Sequence, residues 1–475
     1  MVRMSHWIDH WDPENEQFWE STGKKIARKN LILSMFAEHI GFSVWVLWTI
    51  VVLNLGNVGI VLPLSELFLL TMVPNAIGSL LRLPYTLAVP RFGGRAWTTV
   101  SAALLLIPTT LLAVVVPGGW LRAQPPGTQF WVLSLCAATA GLGGGNFSSS
   151  MANISFFYPE KRKGFALGLN AAGGNLGVSV AQLFVPLAII AGVPAAAVKL
   201  QPHPVHLRYA GAMWIPLILL AVGLSYFCMN SLTQAKSDTG PLKASLRHPH
   251  AWVMSLLYIG TFGSFIGFSF ALPLVIKNTF PEFLAAHPFI ATYLAGLGFT
   301  GALVGSLARP LGGLLSDRIG GAKVTVAVFL GMVVATAVAI SGVRGHSFAV
   351  FFGSFQVLFL LSGIGNGSTY KMIPSIYHAL GRRTSDDRAT ALDFKRQAAA
   401  VIGVIGAIGA FGGVLIQIVL RQASLRAAGN PEWVVPGLGV FLGSYLVFAA
   451  ITWAVYLRGA MAHEIAPRKL AAVPA

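Results

Sequence analysis

The sequence predicts an all-α membrane protein with twelve transmembrane helices, and three observations lead to this fold class. The chain is 55% hydrophobic and 10% charged, whereas soluble globular domains carry about 25% charged residues. Apolar runs long enough to cross a bilayer recur from end to end. Features of the first half return in the second half at one constant spacing, which indicates two pseudo-symmetric six-helix bundles.

Each apolar run is interpreted as one helix, because membrane helices tolerate the Gly and Pro residues that interrupt several of them. The predicted helices cover about 31–53, 64–90, 97–116, 129–157, 164–193, 211–230, 251–277, 291–316, 322–342, 348–379, 397–420 and 434–458. The predicted organisation is a cytoplasmic or interfacial N-terminal segment (1–30), an N-terminal bundle (31–230), a cytoplasmic linker (231–250), a C-terminal bundle (251–460) and a cytoplasmic tail (461–475).

The net charge of +17 reflects basic residues distributed over the loops. With a cytoplasmic N-terminus, 23 of the 33 Lys and Arg residues fall in cytoplasmic segments and seven on the other side. This bias follows the positive-inside rule and predicts that both termini are cytoplasmic. Because the basic residues are spread over seven short segments, they form no single patch for nucleic acid.

The N-terminal segment joins aromatic to basic residues, a composition typical of a helix at the membrane surface. These residues are Trp7, Trp11, Phe18 and Trp19, followed by Lys24, Lys25, Arg28 and Lys29. We expect the aromatic rings to lie at headgroup level, and a dedicated partner site is the alternative.

Two arginines lie at matching places inside apolar helices. Arg82 and Arg309 are 227 residues apart, and nine residues after each comes a second arginine, Arg91 or Arg318. Nine residues of helix span about 13.5 Å. With Arg91 and Arg318 at the membrane surface, the inner pair lies near the middle of the bilayer, too deep for the side chains to reach water. A buried charge at that depth is costly and indicates a function.

No acidic residue is expected at the depth of these arginines. Glu66 and Asp317 lie at predicted helix ends, and Glu38 lies in the first turns of the first predicted helix. We therefore expect a small oxyanion between Arg82 and Arg309, since it relieves their repulsion and guanidinium groups bind such an anion at two points. The alternative is a structural pair that is satisfied by backbone carbonyls.

The fifth and eleventh predicted helices are rich in glycine and are related by the same spacing as the arginines. Their sequences are GFALGLNAAGGNLG (164–177) and GVIGAIGAFGG (403–413). Glycines are typical of close helix packing, and smooth surfaces also let two halves slide. Asn170 and Asn175 are amides in the fifth helix that need partners when buried. A polar ligand is one candidate partner.

Aromatic and titratable residues complete the candidates. Phe147, Tyr258, Phe262 and Tyr370 lie in the fourth, seventh, seventh and tenth helices. Taken singly, an aromatic residue in a membrane helix is a packing residue more often than a ligand.

Three titratable residues could take part in coupling or line the anion pathway. Lys371, in the tenth helix, is expected to extend its ammonium to the surface, with a role in the pathway or in coupling as the alternative. Glu38 and His39 are expected to form a satisfied polar pair near the interface, although both can titrate.

Motifs of several other function classes are missing from the sequence. It contains no Walker A motif and no Ser/His/Asp set in its loops. Cys136 and Cys228 both fall in predicted helices and give no disulfide framework. We expect no enzyme activity, no metal and no cofactor.

Six segments together resemble the nitrate/nitrite porter family of the major facilitator superfamily, and the resemblance covers essentially the whole chain. They are GNFSSSMANISFFYP (145–159), GFALGLNAAGGNLG (164–177), YIGTFGSFIGFS (258–269), ARPLGGLLSDRIGG (308–321), GNGSTYKMIP (365–374) and GAIGAFGG (406–413). The resemblance implies the major facilitator fold in a multi-pass protein of the bacterial inner membrane. It further implies a monomer that moves nitrate and nitrite by alternating access.

The resemblance also implies a set of site residues: anion binding by Arg82 and Arg309, a hydrogen bond from Tyr258, aromatic walls from Phe147, Phe262 and Tyr370, and a path lined by Asn175 and the signature glycines. Two positions depart from the family pattern. Ala171 and Ala172 stand where the signature often has glycine, and Lys371 stands where some relatives carry a neutral residue. The lysine leaves the mode of coupling open.

Nitrate/nitrite exchange is the expected mechanism, because an empty site would have to reorient with two uncompensated cations. Proton-coupled nitrate symport through Lys371, or through Glu38 and His39, is the first alternative. A porter of another small anion, a carrier of larger organic anions and a non-transporting anion sensor are the others.

Overall fold

The computed structural model describes residues 6–198, 202–235, 240–385, 388–426 and 430–459. The predicted tail at 461–475 lies outside the described residues, as do residues 236–239 of the predicted linker. The described part is dominated by long helices, with one pair of two-residue strands.

Two sets of six long helices follow one another along the chain. The first set is α1 (Glu16–Asn54), α2 (Leu64–Phe92), α3 (Gly94–Val114), α4 (Pro126–Phe157), α5 (Glu160–Ile189) and α6 (Tyr209–Cys228). The second set is α7 (Pro249–Thr279), α8 (Gly298–Ile319), α9 (Gly321–Arg344), α10 (Phe348–Thr384), α11 (Arg388–Arg426) and α12 (Val435–Leu457). Eleven of these helices, all except α8, are long and apolar enough to cross a membrane.

Helix α8 differs because it contains Arg309 together with several glycines, which lower its hydropathy. Its 22 residues are nevertheless long enough to span the hydrocarbon core. The helix begins at Gly298 instead of the predicted residue 291. Gly296 and Leu297 have φ values of 67° and 68°, and a right-handed helix cannot continue through left-handed backbone.

The two halves meet along two pairs of helices. Helix α2 packs against α11, and α5 packs against α8. Helix α11 also approaches α7 backbone to backbone, because a Cβ atom at Gly412 would lie 2.9 Å from the Cα of Gly263. At one end of the molecule, the ammonium of Lys277 on α7 donates to the carbonyl of Leu53 on α1 at 2.7 Å. The site described below therefore lies between closely packed halves.

The N-terminal segment packs against the protein, and two of its tryptophans are covered by protein side chains. Strand β1 (Trp7–Ile8) pairs in parallel with β2 (Ser231–Leu232), directly after α6. Trp11 and Trp19 are 2% and 3% exposed. Trp11 lies edge-on to Phe157 with ring centres 5.5 Å apart. We call this end of the molecule the linker side.

Helix α1 begins much earlier than predicted, and this changes the place of Glu38. The helix starts at Glu16 instead of residue 31, since the polar residues before the apolar run continue it. Asn30, near the linker side, hydrogen-bonds Asn230 at the end of α6 at 3.2 Å. Glu38 follows eight residues later, which is about 12 Å of helix, and it is 1% exposed. The expectation that it lies in the first turns of the helix was wrong, and its side chain is buried in the protein interior.

Candidate functional site

Arg82 is fully buried in α2 and reaches into the second half of the chain. Its Nε donates to the carbonyl of Gly144 at 3.2 Å, and its Nη1 donates to the carbonyl of Gly406 on α11 at 3.0 Å. Its Nη2 is buried and has no hydrogen-bond partner in the described part of the chain. Backbone carbonyls therefore satisfy this cation only in part.

Arg309 is 3% exposed in α8 and is likewise incompletely satisfied. Its Nη2 donates to the hydroxyl of Tyr258 at 3.2 Å. Its Nη1 is buried, and no partner for it occurs among the described residues. None of the ion pairs seen in the described ranges involves Arg82 or Arg309.

The rings of Phe147 and Phe262 lie against both guanidinium groups. The guanidinium carbon of Arg82 is 4.6 Å from the centre of the Phe147 ring and 4.8 Å from that of Phe262. For Arg309 the same distances are 5.5 Å and 6.0 Å. Since both carbons are this close to one ring, they are no more than about 10 Å apart. Two cations from different halves thus share one aromatic environment.

Two tyrosines extend this aromatic cluster. Tyr258 stacks on Phe262 with ring centres 5.3 Å apart and an interplanar angle of 9°. The ring of Tyr370 lies 5.3 Å from the Tyr258 ring and 5.3 Å from the guanidinium carbon of Arg309. The structure therefore brings together the two arginines and the four aromatic residues that the resemblance implied.

The glycines of α11 make room for the side chains of the site. A Cβ atom at Gly409 would collide with the ring of Tyr258. At Gly406 it would lie 3.9 Å from each of Arg82 Nη1, the Phe147 ring and the Tyr370 hydroxyl. Three site side chains therefore converge on Gly406, whose carbonyl already accepts a hydrogen bond from Arg82.

The signature glycines of α5 have a different role from the one implied. A Cβ atom at Gly173 would lie 2.6 Å from the side chain of Met35, and one at Gly174 would collide with the carboxylate of Glu38. A Cβ atom at Gly177 would collide with the backbone of α1. These three glycines pack α5 onto α1 within the first half, which corrects the expectation that they line the path.

The two asparagines of α5 have different surroundings. Asn170 donates to Glu38 Oε2 at 2.8 Å and lies 2.6 Å from the hydroxyl of Ser150. Asn175 is fully buried, and neither atom of its amide has a partner in the described ranges. Asn170 therefore fixes the carboxylate of Glu38, whereas Asn175 has free donors and acceptors for a ligand.

The other titratable candidates are held by partners of their own. The Nδ1 of His39 lies 3.0 Å from the carbonyl of Gly173. Lys371 forms an ion pair with Asp317 at 2.8 Å, and the two side chains are 44% and 54% exposed. Lys371 thus reaches the surface of the described structure, as snorkelling predicts.

The sequence interpretation missed two buried asparagines. Asn146 on α4 and Asn366 on α10 are 3% and 0% exposed, and both atoms of each amide lack a partner in the described residues. Each follows a glycine, at 145 and 365, inside segments that were quoted for the resemblance. The repeated Gly-Asn pair in corresponding helices was the signal that could have identified them.

No group of three or more His, Cys, Asp or Glu side chains that could hold a metal ion occurs among the described residues. The chemistry that the cluster offers is that of hydrogen-bond donors with positive charge, set against aromatic faces. A cluster of this chemistry is suited to holding an anion.

The fold agrees with solved structures of membrane transporters. A crystal structure of a D-xylose–proton symporter superposes with a TM-score of 0.66 at 14% identity, over 90% of this chain and 97% of that one. A bacterial homologue of the human lysosomal transporter Spinster superposes with a TM-score of 0.61 at 16% identity, over 89% and 95% of the two chains. At these identities the likeness shows the fold and nothing further.

Sequence comparison is more specific. The profile of the Major Facilitator Superfamily matches residues 31–416. The nitrate/nitrite transporter NarU of Salmonella typhimurium is 39% identical over 95% of this chain and 96% of its own length. NarU of Escherichia coli is 38% identical, over 94% and 96% of the two chains. A probable nitrate/nitrite antiporter of Thermus thermophilus is 34% identical, over 95% and 97%.

These findings confirm the predicted fold and the prediction of a transporter and not an enzyme. The chain is a multi-pass membrane protein, and it belongs to the Major Facilitator Superfamily and, within it, to the family of the nitrate/nitrite transporters.

Proposed function

We propose that this protein exchanges nitrate for nitrite across the bacterial inner membrane, with both termini in the cytoplasm. The anion binds between Arg82 and Arg309, and the two six-helix halves rock about it so that the site opens to each side in turn. The names of the most similar relatives support the choice of nitrate and nitrite.

One observation carries this proposal: each arginine keeps an unused nitrogen. Arg82 Nη2 and Arg309 Nη1 are buried without partners in the described part of the chain. A buried donor that makes no hydrogen bond costs about 1–3 kcal/mol, and more when it is charged. A bound oxyanion removes this cost at both arginines together, because it accepts from one guanidinium on each side.

The surrounding rings favour a small and flat anion. Phe147 and Phe262 are fully buried and lie within 6.0 Å of both guanidinium carbons, which leaves little room between the cations. Nitrate and nitrite are planar and offer oxygen atoms at their edges to the N–H groups. Their faces can lie against the rings. Larger organic anions would require the aromatic side chains to move away.

Charge and contact geometry favour exchange over uniport. At a separation of about 10 Å and an effective dielectric constant of about 20, two unit positive charges repel by about 1.7 kcal/mol. The hydrogen bond from Arg82 to the carbonyl of Gly406 also joins the halves, and it must break when α2 and α11 separate. An anion supplies new acceptors when that bond is lost, so the loaded site reorients more easily than the empty one.

A second candidate is proton-coupled nitrate symport, and the burial of Glu38 favours it. This carboxyl group is 1% exposed inside α1, so that a proton bound there would move with the site. Lys371 is a weaker candidate for coupling because it is half-exposed and paired with Asp317.

Counterflow in proteoliposomes distinguishes exchange from symport. We expect labelled nitrate to enter vesicles that contain nitrite or unlabelled nitrate, with no acidification of the lumen. Uptake into anion-free vesicles that is driven by an inward proton gradient would refute exchange and support symport. Competition by formate and by succinate measures how strictly the site selects a small inorganic anion.

A further inference from the structure

Three ionisable side chains are buried in the interior of this protein, and when all three are ionised their charges do not cancel. Among the Asp, Glu, Lys and Arg residues whose burial the structure describes, the buried ones are Glu38, Arg82 and Arg309, at 1%, 0% and 3% exposure. With Glu38 ionised, they sum to one positive charge. One bound monovalent anion brings the buried charge to zero.

Glu38 is held in a niche that is built for a carboxylate. Its Oε2 accepts a hydrogen bond from the amide of Asn170 at 2.8 Å. Position 174 has to be glycine, because any Cβ atom there would collide with the carboxylate. The Oε1 is buried without a partner in the described residues. Glu38 also borders a cavity of about 10 Å³, which is about the volume that one water molecule needs.

The niche is polar but otherwise uncharged. Its lining includes hydroxyl and amide groups of α1, α3 and α4: Ser34, Thr98, Ser101, Asn146, Ser149 and Ser150. Hydroxyl and amide groups can hydrogen-bond a carboxylate without cancelling its charge. The charge of Glu38 therefore acts on the anion site.

Glu38 lies beside the anion site, because its niche and the site share one stretch of α4. Asn146 lines the niche, while the carbonyl of Gly144 accepts a hydrogen bond from Arg82 and the ring of Phe147 lies against the same arginine. The neighbouring His39 on α1 is held by the carbonyl of Gly173, and Tyr258 on α7 is bonded to Arg309. Helices α3, α4 and α5 face Glu38 with neutral groups. Glu38 is thus the acidic group that opposes the two arginines.

We propose that Glu38 is a specificity-determining residue, which sets the net charge of the buried site to +1 and so selects monovalent over divalent anions. This inference rests on the proposed anion site between the arginines and adds the valence of its substrate. It applies to exchange, in which the anion binds while Glu38 is ionised; in symport through Glu38 the carboxyl group of the loaded site would be protonated and the site would not carry a charge of +1.

The inference has a quantitative consequence. As a scale, two unit charges about 10 Å apart, at an effective dielectric constant of about 20, change an affinity by roughly tenfold. The interaction energy is proportional to the charge of the ligand. The factor by which the affinity for a divalent anion changes is therefore the square of the factor for a monovalent anion, roughly a hundredfold. Removal of the Glu38 charge should therefore favour sulfate more than nitrate.

The direction in which pH changes the anion affinity follows from the same sum of buried charges. Protonation of Glu38 removes a negative charge beside the site, so anions bind more tightly to the protonated form. As the pH falls through the titration of Glu38, the affinity of the wild-type protein for both anions rises, and the affinity for sulfate rises more. Glu38→Gln mimics the protonated form at every pH.

The test measures nitrate and sulfate binding to the purified full-length protein over a series of pH values, for wild type and for Glu38→Gln. We expect the variant to bind nitrate roughly tenfold more tightly than the wild type does above the titration range. We also expect its sulfate affinity to gain more than its nitrate affinity, and both to be independent of pH. Glu282→Gln, which removes an exposed carboxylate, is the matched control and should behave as wild type.

Two results would overturn the inference. One is an unchanged ratio of nitrate to sulfate affinity in Glu38→Gln, and the other is an equal loss of both affinities in a folded variant. If Glu38→Gln does not fold, the wild-type pH series decides, since a nitrate-to-sulfate ratio that is constant with pH also overturns it. Failure of the wild-type protein to bind nitrate would instead refute the proposed function.

Discussion

Replacement of Arg82 by lysine tests the anion site most directly, because the substitution keeps the charge and changes only its geometry. Arg82 uses Nε for the carbonyl of Gly144 and Nη1 for the carbonyl of Gly406, and its Nη2 remains for a ligand. A lysine has one nitrogen atom in place of these three. It cannot hold both carbonyls and also bind an anion in the plane of the rings.

The expected magnitude follows from the hydrogen bonds that are lost. A hydrogen bond to a charged group contributes about 1.5–3 kcal/mol. Loss of one such bond to the anion lowers nitrate affinity by roughly 10- to 150-fold. The Coulomb attraction between anion and cation is largely kept, so Arg82→Lys should bind nitrate weakly but measurably. Arg82→Gln, which also loses the charge, should be weaker still.

The assay is nitrate binding to the purified protein, followed by counterflow in proteoliposomes. Arg91→Lys is the matched control, since Arg91 lies nine residues further along the same helix and is exposed. It should retain the affinity of the wild type. Nitrate affinity of Arg82→Lys within threefold of the wild type, with normal counterflow, would refute the reasoning, because it would show that the guanidinium plane makes no contact with the anion.

Three further predictions follow from single contacts. Tyr258→Phe removes the hydroxyl that accepts a hydrogen bond from Arg309 at 3.2 Å. It should weaken nitrate binding by roughly 3- to 30-fold. An unchanged nitrate affinity would contradict the role of this hydroxyl in the anion site. Lys371→Gln breaks an exposed ion pair with Asp317, and an ion pair of this type contributes about 0–1 kcal/mol to stability. Counterflow should therefore persist in this variant. A complete loss of counterflow would indicate that Lys371 has a role in coupling. Gly174→Ala should lower the thermal unfolding temperature by several degrees, because its Cβ atom meets a buried carboxylate, while Gly168→Ala has open space and should not. Equal unfolding temperatures for the two alanine variants would argue against the packing described for α5.

The positions of the membrane helices and of the arginine pair could be predicted because they depend on local sequence. Transfer of an apolar run into lipid is favourable whatever its neighbours are, so hydropathy located eleven spans directly. The regular rise of a helix then placed Arg82 and Arg309 at depth. The eighth helix was also predicted from its apolar run, although its arginine and glycines lower its hydropathy. The resemblance to a family supplied the four aromatic residues, since a single buried ring has no distinctive signal in sequence.

The start of α1 and the burial of two N-terminal tryptophans could not be predicted, for a common reason. The start of α1 was placed at its first long apolar run, on the premise that polar residues lie outside the membrane domain. In the structure, Trp11 and Trp19 are covered by protein and the helix continues through the polar residues. Whether a residue is buried depends on what packs over it, and a single sequence does not contain this information. Glu38 was therefore assigned to the first turns of the helix, whereas it lies well inside it.

By itself the sequence determined a duplicated set of membrane helices with a positive charge at the centre of each half, because hydropathy, charge and helical rise are properties of consecutive residues. The tertiary structure decided which groups those charges meet. It brought residues of α2, α4, α7, α8 and α10 around a single space, left one nitrogen of each guanidinium without a partner among the described residues, and placed a carboxylate in a niche opened by Gly174. Such contacts join residues that are far apart in the chain, and they exist only once the helices have packed.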